Sequence, residues 1–374
     1  MKKLLIASDC FLPRWDGIAR FLSEIIPPLS KKFEITVIAP RYPGKLEEIQ
    51  NVKLIRFGIK QKKYGDYIPP IVNKKIVKEE VLKADVVWTQ TIGPIGMKAI
   101  KYAKRYKKKL VAYIHSIEWE LFPNSIKSDI WRTPVNILTI IIARRLYNKC
   151  NLLMVPSMET AELLSWQGIR TRKKVVHLGV DIEKFIPAKN KGEAKKKLNI
   201  EPKSNVIGFV GRLGREKDLV TLYRAFTRLQ IKYKDIILLI IGTGIDELKD
   251  LFSKRKGVIL VGATNNVVPY LQAMDIYVLP SLTETSSLST MEAMSCGLAV
   301  ISTPVGYIKE YIQHRKNGLL FPKKSPYMLM KRLEFLIDAP EIRLKMGEKA
   351  RNTIVSEFSW ENTVKEIEKT LDEI

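Results

Sequence analysis

The sequence predicts an α/β protein made of two doubly wound parallel domains, and three observations carry that expectation. The chain has 374 residues, more than one ordinary hydrophobic core organises. Short β-branched runs such as IILLII and VILVG are apolar throughout and alternate with helical stretches. Continuous apolarity marks strands buried on both faces, and strand–helix alternation marks right-handed βαβ units. The pattern also restarts once, after the polar, lysine-rich stretch PAKNKGEAKKKLNIEPKS at 187–204. The boundary is expected there, giving domains 1–187 and 188–357.

Taken in order, strands are expected at 2–8, 34–39, 52–57, 85–90, 110–115, 152–156 and 174–178. The second half repeats the series at 205–211, 235–242, 257–262, 275–280, 299–303 and 318–321. In open sheets of this kind ligands bind beyond the carboxyl ends of the strands. Two such domains are expected to face a central cleft.

Composition narrows the class. Hydrophobic residues make up 46%, enough for sizeable cores. The longest uncharged apolar run lies within 133–143 and is too short to span a bilayer. The opening MKKLLIASD is interrupted by Asp9 and reads as a first strand rather than a signal peptide. Cys10, Cys150 and Cys296 are far apart, which argues against a disulfide framework and fits a reducing cytoplasm. His115, His177 and His314 are equally scattered, so no metal site is expected.

The formal charge is +25 and uneven. Residues 1–187 hold 34 Lys and Arg against 17 Asp and Glu, and residues 188–374 hold 30 against 22. Such a surface implies an anionic partner. A nucleic-acid binder should show a recognised motif or aromatics interleaved with cations, and neither is present, so nucleic acid is not expected.

Four segments could carry chemistry. In YVLPSLTETSSLSTMEAMSCGLAVISTPVG (277–306) a strand ends at Pro280 and a Ser/Thr-rich loop leads into a helix over about 287–296. Ser286 or Ser287 suits its N-cap and Gly297 its left-handed C-terminal cap. The helix start suits a phosphate or polar sugar. Glu284 lies on the loop. Glu292, among Met291, Ala293 and Met294, either accepts hydrogen bonds from a ligand such as ribose or is a solvated helix glutamate. In VIGFVGRLGREKDL (206–219), Arg212, Arg215, Glu216 and Lys217 crowd the turn after a strand. The cations could hold a diphosphate or merely pair internally on an exposed loop. In SDCFLPRWDGIAR (8–20), Gly17 at a helix start permits close approach of an anion. His115 ends the strand LVAYIH and could bond a sugar hydroxyl or a developing charge, or be structural. No GxGxxG is present: Gly242 and Gly244 in IIGTG lack the third glycine.

Together these segments resemble glycosyltransferase family 4, the retaining enzymes of GT-B architecture. The spacing Glu284-x7-Glu292 followed by AMSCG is similar to that family's glutamate motif, and GRLGREKDL to its diphosphate-binding turn. KVVHLGVDIEKFIP is similar to the stretch closing its first domain, with IIGTG and DIYVLPS further landmarks. FSWENTVKEIEKTLDEI (358–374) resembles the C-terminal helix that returns to the first domain.

The resemblance implies a hexose moved from a UDP-, GDP- or ADP-sugar to a lipid or glycan acceptor, with no metal and no other cofactor. It implies that Arg212 and Lys217 bind the diphosphate and Glu292 the ribose. Glu284 and the backbone N–H groups of Ser286, Ser287, Leu288 and Ser289 would contact the sugar. Gly17 and His115 would contribute from the first domain. The leaving phosphate would help deprotonate the acceptor, so no protein general base is assigned. The family often has Gly-Phe after the first glutamate, where this chain has Thr285-Ser286.

WTQTIGPIGMKAIKYAKRYKKKLVAYIHS and the Asp16-Gly17 pair resemble the branch that glycosylates diacylglycerol or related lipids. On that likeness, the lysine-rich segment 97–109, with a stripe of Ile100, Ala103 and Tyr106, and the apolar run Val135–Ala143, flanked by Arg132, Arg144 and Arg145, would lie on an anionic membrane at its cytoplasmic face. A solvated basic helix is the alternative. A nucleotide-sugar epimerase of the same architecture, or a basic nucleic-acid-binding protein, are the competing functions.

Overall fold

The computed structural model describes residues 1–14, 16–44, 49–61, 68–125 and 129–374. Trp15, in the first strand–helix turn, lies outside the described residues. The chain divides into two compact units, Met1–Leu178 with Trp360–Ile374, and Gly179–Ser359.

The first unit runs β1 (Lys2–Ala7), α1 (Gly17–Leu29), β2 (Phe33–Pro40), β3 (Val52–Phe57), α2 (Lys74–Lys83), β4 (Val86–Thr89), α3 (Pro94–Arg105), β5 (Lys109–Tyr113), α4 (Glu118–Ser125), α5 (Asp129–Tyr147), β6 (Leu152–Val155), α6 (Met158–Trp166) and β7 (Lys173–Val175). Its strands are all parallel, in the order β3-β2-β1-β4-β5-β6-β7. β4 and β6 are buried at every position, as continuously apolar strands between helical layers must be.

The second unit runs α7 (Lys191–Lys196), β8 (Asn205–Val210), a 3-10 turn (Arg215–Lys217), α8 (Leu219–Lys232), β9 (Ile236–Ile241), α9 (Asp246–Ser253), β10 (Val258–Gly262), α10 (Val268–Ala273), β11 (Ile276–Leu279), α11 (Leu288–Ser295), β12 (Ala299–Ser302), α12 (Ile308–Tyr311), β13 (Leu319–Leu320), α13 (Pro326–Asp338) and α14 (Pro340–Glu357). Its sheet is also parallel, in the order β10-β9-β8-β11-β12-β13. Each sheet is therefore doubly wound. The strand order reverses between β1 and β4 in one and between β8 and β11 in the other. Those two crevices are where such folds bind ligands.

The division falls at 178/179 rather than at the expected 187/188. After the first sheet, residues 179–187 belong to the second unit. There Val180 donates its N–H to the Phe358 carbonyl (2.9 Å), and the Phe185 carbonyl accepts from Ser295 Oγ (2.7 Å). The lysine-rich stretch that reads as a linker contains α7, capped by the Asn190 side chain. Lys195 there is buried, with Nζ 2.7 Å from Asp275 and 2.7 Å from the Ser204 carbonyl. Its acidic partner is 80 residues away in sequence, so composition alone could not reveal it.

The last helix, α15 (Trp360–Asp372), belongs to the first unit. The Trp360 ring packs on Phe21 of α1 at 5.9 Å, and Thr363 Oγ1 donates to the His177 carbonyl at 2.9 Å.

One expectation is corrected here. Of the apolar stripe offered to a membrane, Ile100 and Ala103 are buried on α3 in the core of the first unit, and Tyr106, at the helix's C-terminal end, is half-buried. What α3 presents outward is charge, from Lys101, Lys104 and Arg105.

Candidate active site

At the carboxyl end of β8 the chain turns through Gly211 (φ +153°), Arg212, Leu213 and Gly214 into the 3-10 turn. The neighbouring end of β9 approaches so closely that a Cβ on Gly242 would meet the Gly211 carbonyl oxygen at 1.9 Å. The IIGTG glycines therefore serve the closeness of two strand ends. Within the turn Arg212 Nη2 pairs with Glu216 Oε1. Glu216 is 2% exposed, and its Oε2 has no hydrogen-bond partner among the described residues. Removing Arg212 would leave that carboxylate buried without its cation, which is costly.

Lys217 reaches across the crevice to Glu284, on the loop after β11, and the two side chains pair. Glu284 Oε1 also accepts from Ser281 Oγ at 2.8 Å, and the Ser281 carbonyl accepts from Thr303 Oγ1 at 2.6 Å. The loop's path is fixed beyond Glu284 as well. A Cβ on Gly306 (φ +52°) would meet the Glu284 carbonyl oxygen at 1.9 Å. The loop feeds α11, whose N-cap is Ser287, accepting from Thr290 N at 3.4 Å. Leu288 and Ser289 occupy the first turn, where N–H groups have no acceptor within the helix. Beneath them the Tyr277 hydroxyl bonds Ser289 Oγ at 2.8 Å and the Val210 carbonyl at 3.3 Å, tying α11 to β8. Glu292 is only 5% exposed, so the reading of a solvated helix glutamate is wrong.

Gly17 and His115 belong to the first unit. Gly17 opens α1, and nothing lies within 4 Å of where its Cβ would be. The helix end beside it is already occupied: Asp16 Oδ1 accepts from Ile18 N (3.1 Å) and Ala19 N (2.9 Å). His115 lies two residues past β5. Its ring packs against Phe21 (4.8 Å) and Tyr113 (4.5 Å), with Nε2 2.9 Å from Gln90 Oε1. The loss of water around the ring pushes its pKa down to about 3. The imidazole is therefore neutral at ordinary pH and offers hydrogen bonds rather than a positive charge. Among the described residues no three His, Cys, Asp or Glu side chains gather as a metal site would require.

This arrangement coincides with known families. Residues 15–184 match the model of Glycosyltransferase Family 4, and residues 190–353 match that of Glycosyl transferases group 1. The chain is a group 1 glycosyltransferase. An uncharacterized glycosyltransferase of Methanocaldococcus jannaschii is 25% identical, covering 100% of this chain and 98% of its own. The alpha-monoglucosyldiacylglycerol synthase of Streptococcus pneumoniae is 22% identical over 96% of this chain and 83% of its own. Among solved structures, Anabaena HepE in complex with UDP and glucose superposes with a TM-score of 0.80 at 17% identity, covering 100% of both chains. The fold is the GT-B pair of Rossmann-like domains.

In this glycosyltransferase the structure brings Arg212, Lys217, Glu284, Ser286 to Ser289 and Glu292 to one crevice of the second unit. Gly17 and His115 stand in the other unit. Sequence reasoning missed three groups. Asp9 is buried at the end of β1, and Gln90 is buried beside His115 with Nε2 lacking a partner. Ser281 steers Glu284. Only Asp9 left a sequence signal, an acid interrupting an apolar strand.

Proposed function

We propose that this glycosyltransferase moves a hexose from a nucleotide-diphosphate sugar to a membrane-lipid acceptor, with retention of anomeric configuration. The reading rests above all on the Lys217–Glu284 pair across the β8/β11 crevice. It sets a cation suited to diphosphate against a carboxylate suited to sugar hydroxyls. Arg212 adds a second cation. The first-turn N–H groups of Leu288 and Ser289 add dipole-assisted donors for phosphate oxygens. The buried Glu292 carboxylate suits the ribose hydroxyls. The incoming diphosphate takes Lys217 as its partner, and Glu284 is released toward the sugar.

In the first unit, Gly17 leaves room for close approach, and neutral His115 with Gln90 supplies hydrogen-bonding groups suited to a sugar. Cations and helix-end donors can neutralise the leaving diphosphate, so turnover is proposed to need neither a metal nor another cofactor. The lipid acceptor is favoured over a free glycan by the full-length likeness to the diacylglycerol-glucosylating enzyme and by the basic first unit. No helix among the described residues is long and apolar enough to cross a membrane, so a lipid acceptor calls for docking at the cytoplasmic face.

The test supplies UDP-, GDP- and ADP-hexoses with diacylglycerol vesicles in excess EDTA. Release of nucleoside diphosphate together with an α-linked glycolipid from an α-linked donor is expected. Isomerised donor without release would instead indicate an epimerase. Transfer that returns only with Mg2+ or Mn2+ would remove the metal-free part of the reading.

A further inference from the structure

A chain of hydroxyls stands behind the first turn of α11. Tyr277, on β11, is wholly buried, while Ser289, in the helix's first turn, is partly exposed. The Tyr277 oxygen lies 2.8 Å from Ser289 Oγ and 3.3 Å from the Val210 carbonyl oxygen. Ser289 Oγ lies 3.3 Å from Ser287 Oγ. Ser287 Oγ in turn accepts from Thr290 N (3.4 Å) and from Thr290 Oγ1 (2.9 Å). Thr290, Ser287, Ser289 and Tyr277 thus form one connected series.

A hydroxyl has one proton to give and two lone pairs to receive, and that inventory sets the direction of the series. Thr290 fills both lone pairs of Ser287, so Ser287 can only donate toward Ser289. Burial, and then the nearby Glu284 and Glu292 carboxylates, raise the pKa of Tyr277, so the phenol keeps its proton. The contact at 2.8 Å has the ordinary length of an O–H···O bond, and the one at 3.3 Å is long for such a bond. Tyr277 therefore donates to Ser289 rather than to Val210. Ser289 Oγ receives from both sides, and its own proton is spent on neither neighbour. It stands beside the first-turn N–H groups of α11. At a spacing of three residues it shares a helix face with Glu292, the carboxylate suited to the ribose.

We propose that Ser289 gives its side-chain hydroxyl to a phosphate oxygen of the donor, and that Tyr277 is a positioning residue that holds this proton outward. A phosphate oxygen only accepts. A hydroxyl whose lone pairs are filled from within the protein meets it with the right polarity. Without the phenol, Ser289 keeps its proton but is free to turn it elsewhere. The inference rests on the reading of the β8/β11 crevice as the donor site. It adds a side-chain contact to that site and the residue that aims it.

Calorimetric titration of UDP, GDP and ADP into Ser289→Ala, Tyr277→Phe, the double variant and Ser289→Thr tests it, with Lys217→Ala as the reference for the site. For whichever diphosphate the wild type binds, Ser289→Ala should weaken binding about tenfold, the loss of one hydrogen bond to a charged group. Tyr277→Phe should weaken it about threefold, because the hydroxyl remains but is no longer aimed. In the double variant the loss should stay about tenfold, rather than the roughly thirtyfold of two independent contacts. Ser289→Thr keeps a hydroxyl and should stay within about twofold of the wild type. Equal losses in the two single variants, with no further loss in the double, would reduce Ser289 to a tie between α11 and Tyr277 and overturn the phosphate contact. A roughly thirtyfold loss in the double would make the two residues independent and overturn the positioning role. Unchanged affinity in Ser289→Ala beside a loss in Lys217→Ala would overturn the proposal and leave the donor site standing. A wild type that binds none of the three diphosphates would remove the donor-site reading and the proposal with it.

Discussion

At the end of β1 the chain turns an acid inward, and at the end of β8 it turns cations outward. Asp9 is buried and accepts from Ile95 N (2.8 Å), Gly96 N (3.1 Å) and Thr91 Oγ1 (2.6 Å). It thereby caps α3 from across the crevice, taking the place an anion would need, and Gly93 is bare because a Cβ there would meet its carboxyl carbon at 2.6 Å. The β8/β11 crevice holds two ion pairs instead, Arg212 with Glu216 and Lys217 with Glu284, whose cations are partly exposed. Both crevices arise from the same reversal of strand order. One has closed on its own acid, and the other holds ion pairs that a diphosphate can exchange. Topology thus locates a site, and the identity of its first few residues decides whether a ligand is received.

The largest effect that would sharpen this contrast is expected at Asp9. Asp9→Ala leaves two buried backbone N–H groups and a hydroxyl without partners, at a cost of about 3 kcal/mol or more to the first unit. Burial already raises the Asp9 pKa, so part of the loss is offset by removing a desolvated charge. Chemical denaturation of Asp9→Ala should show the loss, and nucleoside diphosphate affinity should stay that of the wild type. Affinity lost in step with Asp9 would mean that the first crevice, not the second, receives the phosphates.

The next effect lies at Glu118, also in the first unit. Its carboxyl is buried, accepts from the Tyr147 hydroxyl at 2.5 Å, and is pushed up to about 7 by loss of solvent. The folded chain therefore holds this proton more tightly than the unfolded chain does. The stability it contributes is complete below about pH 4.5 and is lost as pH rises through about 7. Glu118→Gln keeps a hydrogen-bonding partner for Tyr147 without the charge. It should stabilise the protein by up to about 3 kcal/mol at pH 8 and leave it unchanged near pH 4. Thermal melts across that range would show it, and a pH-independent difference would contradict the buried-carboxyl account.

The smallest effect concerns His115. Its ring should remain neutral throughout pH 5–8, so its carbon-bound ring protons should not shift in NMR spectra over that interval. A titration midpoint near 6.5 would return it to the class of solvated histidines and restore the option of a cationic role.

The two crevices were not equally legible in the sequence. The strands and both sheets follow from continuous apolar runs, which report burial on two faces directly. Glu284, Glu292, Arg212 and Lys217 stood out because charges beside strand ends and in an apolar helix are conspicuous. What they pair with was not visible: Lys217 meets Glu284 from 67 positions away. The lysine-rich stretch 187–204 read as a linker for the same reason, since the partner that buries Lys195 lies at Asp275. The basic segment 97–109 misled because amphipathic periodicity states that one face is apolar and not what covers it. In α3 the protein's own core covers it, whereas α5 exposes apolar residues although its sequence shows little amphipathic contrast.

The central claim is that the second unit receives the donor diphosphate through the cations of the β8/β11 crevice. Calorimetric titration of UDP, GDP and ADP into the wild type and Lys217→Ala tests it most directly. Lys217 contributes one charge-assisted contact, about 1.5–3 kcal/mol. The account predicts that whichever nucleotide binds the wild type binds Lys217→Ala roughly ten- to a hundredfold more weakly, with the far-UV circular dichroism of the folded protein retained. Wild-type affinity retained in Lys217→Ala would contradict it.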